Sequence, residues 1–278
     1  MTFVLRVTYF LACVLCGSVA SVYASTPSVA AAPLKLRIAV ISDGHSRYFI
    51  RLLEESLKLI HQPYQIKYMT DIPARRMWWM LERGEINLIY GMQSKEKRSS
   101  KYLVQVRNAL TNGLIGQRVL LIRPSDDNVF AHVQSVDDLK RTELIAGLGA
   151  GWGDVKVWRT AGLPLYEHVA PWRTIYAMVA AGNRRVDYLP RAVIEAVSES
   201  RSHPELVVEP HLLLEYRADF SFYLGASAAS YRPVIERALS EAEASGLKAR
   251  LIDQEFGDDL TALGLDRRLR LHLSATGD

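Results

Sequence analysis

Hydrophobic and polar positions alternate in a regular order along the chain. The stretch LKLRIAVI at 34–41 alternates and then becomes apolar, which is typical of a buried strand. Residues 46–61 carry apolar side chains at helical spacing, and YQIKYM at 64–69 alternates again as a second strand. A helix at 73–84 and a third strand at 85–91 follow. This succession predicts a parallel sheet with helices on both faces.

The same pattern repeats through the rest of the chain. Strands are predicted at 116–123, 143–148, 185–189, 205–209 and 220–226, and helices at 135–141, 153–161, 172–181, 191–200 and 232–245. An extended run at 110–124 and a return strand near 216–226 indicate that the chain passes twice between two lobes. We therefore expect an α/β protein of two lobes, each a mostly parallel sheet flanked by helices, with a ligand cleft at the carboxyl ends of the strands.

The first residues form a separate pattern. Arg6 precedes an apolar stretch at 7–22 that ends in small residues, which predicts a secretory signal peptide at residues 1–24 and export to the periplasm. A membrane anchor is disfavoured because a span needs about 20 apolar residues. Attachment of a lipid at Cys13 or Cys16 is a minor alternative. Residues 25–33 read as a flexible leader.

Charge and cysteine content narrow the possible functions. Both cysteines fall within the signal peptide, so the exported chain has no disulfide and no thiol nucleophile. The net charge of +4 falls to +3 without Arg6, and no block of lysines and arginines favours nucleic-acid binding. The seven histidines are scattered, and no metal or nucleophile motif is present. We therefore expect a monomer without cofactor, metal or nucleic-acid partner that binds a small molecule.

The segment GLGAGWGD at 147–154 lies between a predicted strand and a predicted helix. Its four glycines leave the backbone able to turn its N–H groups inward, and such a nest binds carboxylate or phosphate. A tight strand-to-helix turn needs the same glycines, so both interpretations stay open. The large ring of Trp152 favours a ligand, because it can form a wall of a cleft. The candidate ligand residues here are Gly149, Ala150, Gly151 and Trp152.

Four stretches resemble one protein family: PARRMWWMLERGEINLIYGMQSKEKR (73–98), GLIGQRVLLIR (113–123), AAGNRRVDYLPRAVIEA (180–196) and YRPVIERALSEAEASG (231–246). They are similar to type II periplasmic solute-binding proteins, in particular extracellular solute-binding family 3, which includes the amino-acid-binding proteins of ABC importers. The resemblance implies a first lobe formed by residues 34–115 and 222–278, and a second lobe formed by 116–221. It also implies hinge closure on a small anionic solute, an amino acid or another organic acid, and a membrane importer or sensor as partner.

The same resemblance implies roles for individual residues. Arg98 stands where the family places an arginine that holds the ligand's carboxylate, which suits a guanidinium because it donates two parallel hydrogen bonds. Gly91 and Ser94 would line the same wall. Tyr48 is a ring near the shortened loop after the first strand. Arg118 either reaches the cleft or pairs with Asp187 or Glu85.

Arg191 stands near the place where amino-acid binders carry an acid for the ligand's ammonium. A positive charge there would repel an ammonium, so we expect a plain acid, a diacid, a phosphorylated compound or a sugar acid. A water-facing position in the first turn of a helix is the alternative for Arg191. Trp172 and Tyr176, one helical turn apart, are candidates for the floor of the cleft.

An enzyme on the same fold, a dehydratase acting on a small carboxylic acid, is the alternative function. Such an enzyme needs a general acid with a raised pKa in the cleft. The candidates near predicted strand ends are Asp43, Asp154 and Asp187, and none of them stands out. We therefore expect a binding protein that catalyses no reaction.

Overall fold

Two five-stranded sheets and a two-stranded sheet organise the described part of the chain. The computed structural model describes residues 32–40, 46–70, 72, 74–93, 97, 99–182 and 185–274, without the side chains of 74 and 75. The expected signal peptide lies outside these residues. Among the described helices, none is long and apolar enough to cross a membrane.

The elements of the described residues follow in chain order. The strands are β1 (Leu34–Ala39), β2 (Tyr64–Met69), β3 (Leu88–Met92), β4 (Leu103–Gln105), β5 (Gln117–Ile122), β6 (Ala146–Gly149), β7 (Leu165–His168), β8 (Leu189–Ala192), β9 (Val207–Val208), β10 (Leu212–Glu215), β11 (Phe220–Gly225) and β12 (Leu269–His272). The helices are α1 (Ser46–Leu59), α2 (Ala74–Glu82), α3 (Asp127–Phe130), α4 (Val136–Arg141), α5 (Gly153–Ala161), α6 (Thr174–Ala181), α7 (Ala196–Ser202), α8 (Arg232–Ala244) and α9 (Leu247–Leu263).

The first sheet has the strand order β2-β1-β3-β11-β4. Strand β1 pairs in parallel with β2 and β3, and Ile38 stands between Tyr68 and Leu88. Helix α1 packs its apolar face, including Phe49 and Leu53, into the core of this sheet together with α8 and α9. The βαβ order read from the sequence therefore produces the expected parallel start of the fold.

The second five-stranded sheet has the order β12-β10-β5-β8, with β9 also paired to β5. The small sheet of β6 and β7 is parallel, and a single bridge joins Ala146 to Tyr188 at the start of β8. Helix α5 packs the fully buried ring of Trp158 into this core, where its indole N–H donates to the Tyr188 hydroxyl at 3.2 Å. This half of the molecule thus has its own apolar core.

Both five-stranded sheets are mixed, where mostly parallel sheets were expected. Strand β11 runs antiparallel to β3 and β4, and β5 runs antiparallel to β8, β9 and β10. The reason is the path of the chain, because β4 and β5 carry it from the first sheet to the second, and β10 and β11 bring it back in the opposite direction. The helix expected at 191–200 also begins later, since 189–192 form β8.

Two segments carry the chain between the sheets, residues 106–116 after β4 and residues 216–219 before β11. Asp219 ties them together, because its buried carboxylate accepts the N–H groups of Leu110, Thr111 and Gly113 at 2.6–3.1 Å. Gly116 lies directly against the second segment, and a Cβ atom there would overlap the carbonyl oxygen of Tyr216. The two crossing segments therefore form one tightly packed connection.

The C-terminal strand differs from the expected lobe assignment. Residues 222–278 were all placed in the first lobe, but β12 pairs in parallel with β10 in the second sheet, Leu269 beside Leu212. Leu271 and Leu273 are buried in the core of that sheet, which explains the pairing. The chain therefore returns to the second sheet after α9.

Candidate functional site

Residues from both sheets and their helices line a cavity of about 680 Å³. The first-sheet side contributes rings at Phe49, Trp78, Tyr90, Phe220 and Phe256, and the second-sheet side contributes Arg118, Trp152, Asp154, Trp172, Arg191 and Glu195. The two sides approach closely at one point, because a Cβ atom on Gly153 would overlap the sulfur of Met92. The cavity therefore has the position and size of a small-molecule site between two halves of a protein.

Arg118 reaches the cavity from β5 and is buried there beside Asp154 at the start of α5. Its Nε lies 2.9 Å from Asp154 Oδ1, and the Tyr216 hydroxyl donates to the same carboxylate at 2.6 Å. Burial opposes the charge of the guanidinium, but the facing Asp154 carboxylate favours it, and the net result is a raised pKa of Arg118. Of the two alternatives for Arg118, the structure shows the position in the cleft and not the pairing with Asp187 or Glu85. The charge of Arg118 is already balanced within the protein.

Arg191 lies on β8 and is 7% exposed. Its Nε and Nη2 each donate to Glu199 at 2.6 Å, and Nη2 also lies 3.0 Å from Glu195. The flat guanidinium stacks on two rings, 5.1 Å from the centre of Trp152 and 4.9 Å from that of Trp172. The alternative of a water-facing residue in a helix is therefore wrong.

The ionic groups of this cluster also change the charge expected for the site. Arg118 and Arg191 contribute two positive charges, and Asp154, Glu195 and Glu199 contribute three negative ones. Both guanidiniums therefore already face carboxylates of the protein, so Arg191 gives no reason to exclude an ammonium group from the solute.

The glycines of the segment 147–154 are largely explained by packing and by the hydrogen bonds of the segment. Cβ atoms on Gly147 and Gly149 would approach Ile175 and the ring of Trp152 to 2.6 Å, and Gly151 has a φ of +78°. The N–H groups of Ala150, Gly151 and Trp152 donate to the His168 carbonyl, the Glu167 carboxylate and the Gly149 carbonyl. These three donors therefore already have acceptors in the protein, which favours the interpretation as a strand-to-helix turn.

No protein-family model and no curated protein matches the chain. Solved structures do match it. The GluR0 ligand-binding core in complex with L-glutamate is 12% identical, with a TM-score of 0.60 over 81% of this chain and 98% of that one. The probable amino-acid ABC transporter extracellular-binding protein YtmK from Bacillus subtilis is 13% identical, with a TM-score of 0.60 over 82% and 100%. An ancestral arginine-binding protein bound to arginine is 15% identical, with a TM-score of 0.55 over 80% and 98%.

These matches extend over nearly the whole length of each solved chain. This protein has the type II periplasmic binding protein fold. The fold class expected from the sequence is thereby confirmed. In this type II periplasmic binding protein fold the cavity of about 680 Å³ is the cleft between the lobes.

Five of the residues expected at the ligand site line the cleft: Gly91, Gly151, Trp152, Arg118 and Arg191. Tyr48 was wrong, because it is 1% exposed and its hydroxyl donates to the Leu110 carbonyl at 2.5 Å. Gly149 and Ala150 lie outside the lining. Arg98, Ser94 and Asp43 lie outside the described residues.

Lys97, beside the expected Arg98, lines the first-lobe wall and was not singled out from the sequence. Its ammonium donates to the Met92 carbonyl at 2.9 Å and stands 4.2 Å from the ring centre of Trp78. Glu195 and Phe220 were missed as well. Of the two neighbouring tryptophans on α2, Trp78 packs against the first-lobe core, whereas Trp79 is 46% exposed.

A different part of the second lobe brings three possible metal-ligand side chains together among the described residues. The ligand atoms of Asp127, Glu209 and His211 lie within 4.8 Å of one another. The Glu209 carboxylate already accepts the backbone N–H groups of His211 and Leu212 at 2.7 Å. Burial raises the pKa of Glu209 against the opposing effect of these hydrogen bonds. This carboxylate therefore has a structural role in the turn between β9 and β10.

Proposed function

We propose that this protein is a periplasmic solute-binding protein that takes a small organic solute into the cleft and presents it to a membrane importer or sensor. The cleft of about 680 Å³, lined by residues of both lobes, carries this proposal. A ligand that contacts both walls favours the closed arrangement and so couples binding to hinge motion. The solved structures of the same fold support the proposal, because those named above include proteins in complex with L-glutamate and arginine.

The solute is proposed to carry an acidic group held by the first lobe. Lys97 brings a positive charge to this wall, and Arg98 follows it directly in the chain. The arginines of the second lobe are balanced by Asp154, Glu195 and Glu199, so the first lobe is the better place for a carboxylate. Because Asp154 and Glu195 line the opposite wall, an ammonium on the same solute is acceptable there. Amino acids therefore belong to the proposed class, together with other organic acids.

A binding role is favoured over the dehydratase alternative. Asp154 is the one of the three candidate acids that lines the described part of the cleft, and Arg118 and Tyr216 both engage its carboxylate. A general acid must be free to hand a proton to the substrate, whereas this carboxylate is engaged by two side chains of the protein. Asp187 accepts the N–H of Ile145 away from the cleft lining. Prolonged incubation that returns the solute chemically unchanged is the expected result.

Thermal unfolding of refolded, solute-free protein tests the proposal against amino acids, organic acids, phosphates and sugar acids. A true ligand at a hundredfold excess over its dissociation constant adds about 2.7 kcal/mol to the stability. We expect Lys97→Ala and Arg98→Ala to weaken this shift. Lys101→Ala is the control, because Lys101 stacks on the exposed ring of Tyr102 outside the cleft lining. A panel without any shift would contradict the proposed function, and equal losses in all three variants would contradict the acid-binding wall.

A further inference from the structure

We infer that the solute carries an aromatic ring that contacts Trp78 of the first lobe and Trp152 of the second lobe, an assignment that rests on the proposed solute-binding function. Both tryptophans line the cleft and both remain partly exposed. They come from α2 and from the turn before α5, so the two lobes supply one each. A solute ring that touches both tryptophans would contact both lobes at once.

A glycine makes room for the ring of Trp78 in the first lobe. A Cβ atom on Gly91 would lie 2.8 Å from Cζ2 of Trp78, so the absence of a side chain on β3 leaves room for this ring. Tyr223 meets Trp78 edge-on at 5.3 Å, and the Lys97 ammonium stands 4.2 Å from its ring centre. These contacts fix the ring in place at the cleft wall and restrict its rotamers.

A glycine also makes room for the ring of Trp152 in the second lobe. A Cβ atom on Gly149 would lie 2.6 Å from Cε2 and Nε1 of Trp152, so this ring also rests on a glycine backbone. Trp172 meets it at 5.4 Å with a tilt of 62°, and the Arg191 guanidinium stacks 5.1 Å from its centre. In each lobe, a glycine on a strand therefore leaves room for a tryptophan ring at the cleft.

The remaining surface of the cleft fits the same kind of solute. Phe49, Tyr90 and Phe220 form a packed group in the first-lobe wall, with Phe49 and Tyr90 stacked at 4.0 Å. The guanidiniums of the opposite wall are engaged by carboxylates. An aromatic ring gains from flat faces and from its quadrupole beside other rings, whereas a saturated ring of equal size gains only from its apolar area.

The test uses pairs of compounds that differ only in ring saturation, with purified full-length protein stripped of ligand. The pairs are phenylalanine and cyclohexylalanine, phenylacetate and cyclohexylacetate, and benzylamine and cyclohexylmethylamine, which cover a zwitterion, an anion and a cation. Dissociation constants come from calorimetry. In the charge class that binds, we expect the aromatic member to bind about tenfold more tightly, since each ring contact contributes a few-fold.

Variants of single tryptophans locate the effect. In Trp78→Leu and in Trp152→Leu, we expect the ratio of the two dissociation constants to fall from about tenfold to about threefold or less, because one of two ring contacts is lost. Trp79→Leu is the matched control, because Trp79 neighbours Trp78 on the same helix but is 46% exposed beside Arg83 and outside the cleft lining. Thermal unfolding checks that each variant is folded, and the wild-type comparison stands without them.

The outcomes separate this inference from the proposed function. Equal or tighter binding of the saturated compounds, or binding only of aliphatic, sugar or phosphate compounds from the broader panel, would overturn the aromatic assignment and leave solute binding intact. Absence of binding by every compound of both panels would overturn both. A preference for aromatic compounds that survives in Trp78→Leu and Trp152→Leu would overturn the assigned contacts.

Discussion

Arg118 and Arg191 both face the cleft, and each already meets a carboxylate of the protein. At the scale of single residues this means that an arginine in a cleft is a ligand candidate only after its partners are known. Asp154 and Tyr216 lie 36 and 98 positions from Arg118, so no local spacing shows these contacts. The positive character inferred from the sequence therefore becomes a balanced network in the structure.

Arg191→Leu tests this network by removing the partner of two glutamates. We expect a loss of about 3–5 kcal/mol in the free energy of unfolding, because the buried Glu199 would remain without the guanidinium that it faces. Urea denaturation measures the loss. Arg173→Leu is the control, since Arg173 is exposed and stacks on the same Trp172 at 4.8 Å. Equal effects of the two substitutions would show that the network adds no stability.

Gly149→Ala tests whether the glycine is needed for the ring of Trp152. The added methyl group must displace the ring, so we expect solute affinity to fall by about three- to tenfold, the value of one aromatic contact. The comparison is Gly84→Ala, outside the cleft lining, where a φ of +75° strains the new residue but no atom lies within 4 Å of its Cβ. That variant should lose stability and keep its affinity. The reverse pattern would contradict the packing role of Gly149.

At the scale of elements, long segments with a clear period were predictable and short buried ones were not. The first strand, α1 and β2 alternate or repeat regularly, because one side of each faces the core. Strand β8 is four residues long, buried throughout and contains a proline, so its sequence shows no alternation. The same shift moved Arg191 from an expected helix to a strand.

The end of the chain shows a second limit of sequence patterns. Gly246 was expected to stop the last helix, and with a φ of 72° it does end the segment that contains α8. A further helix of 17 residues, α9, begins directly after this glycine. Its buried residues are sparse and its sequence contains Gly257, so its pattern was too weak to predict. The cleft residues Gly91 and Trp152 were predictable because they lie near strand ends in a recognisable βα order.

Gly116→Ala tests the packing of the two crossing segments. The new methyl group would meet the Tyr216 carbonyl, and backbone atoms cannot move aside as a flexible side chain can. We expect a loss of about 1–3 kcal/mol, the usual cost of overpacking. Thermal unfolding measures it, with Gly84→Ala as a control for added strain alone, because Gly84 has a φ of 75° and open space around it. A smaller loss at Gly116 than at Gly84 would contradict tight packing.

At the scale of the whole molecule, the two lobes touch at Met92 and Gly153, where a Cβ atom on Gly153 would overlap the Met92 sulfur. Gly153→Leu should hold them apart, so we expect weaker solute binding and an X-ray scattering profile that stays expanded when solute is added. Met92→Ala in the same chain should restore part of the closure, because it removes the facing side chain. A single variant that closes normally would show that this contact lies outside the path of closure.

The pairing of β12 with β10 has a consequence for how motion in this protein is observed. Strand β1 opens the described fold in the first sheet, and β12 closes it in the second, so the two ends of the fold belong to different halves. A donor dye attached just before Leu34 would report the position of the first sheet, and an acceptor dye attached after Leu273 would report that of the second. Their energy transfer would then report any change in the distance between the two sheets in single molecules, with every residue of the cleft left as it is.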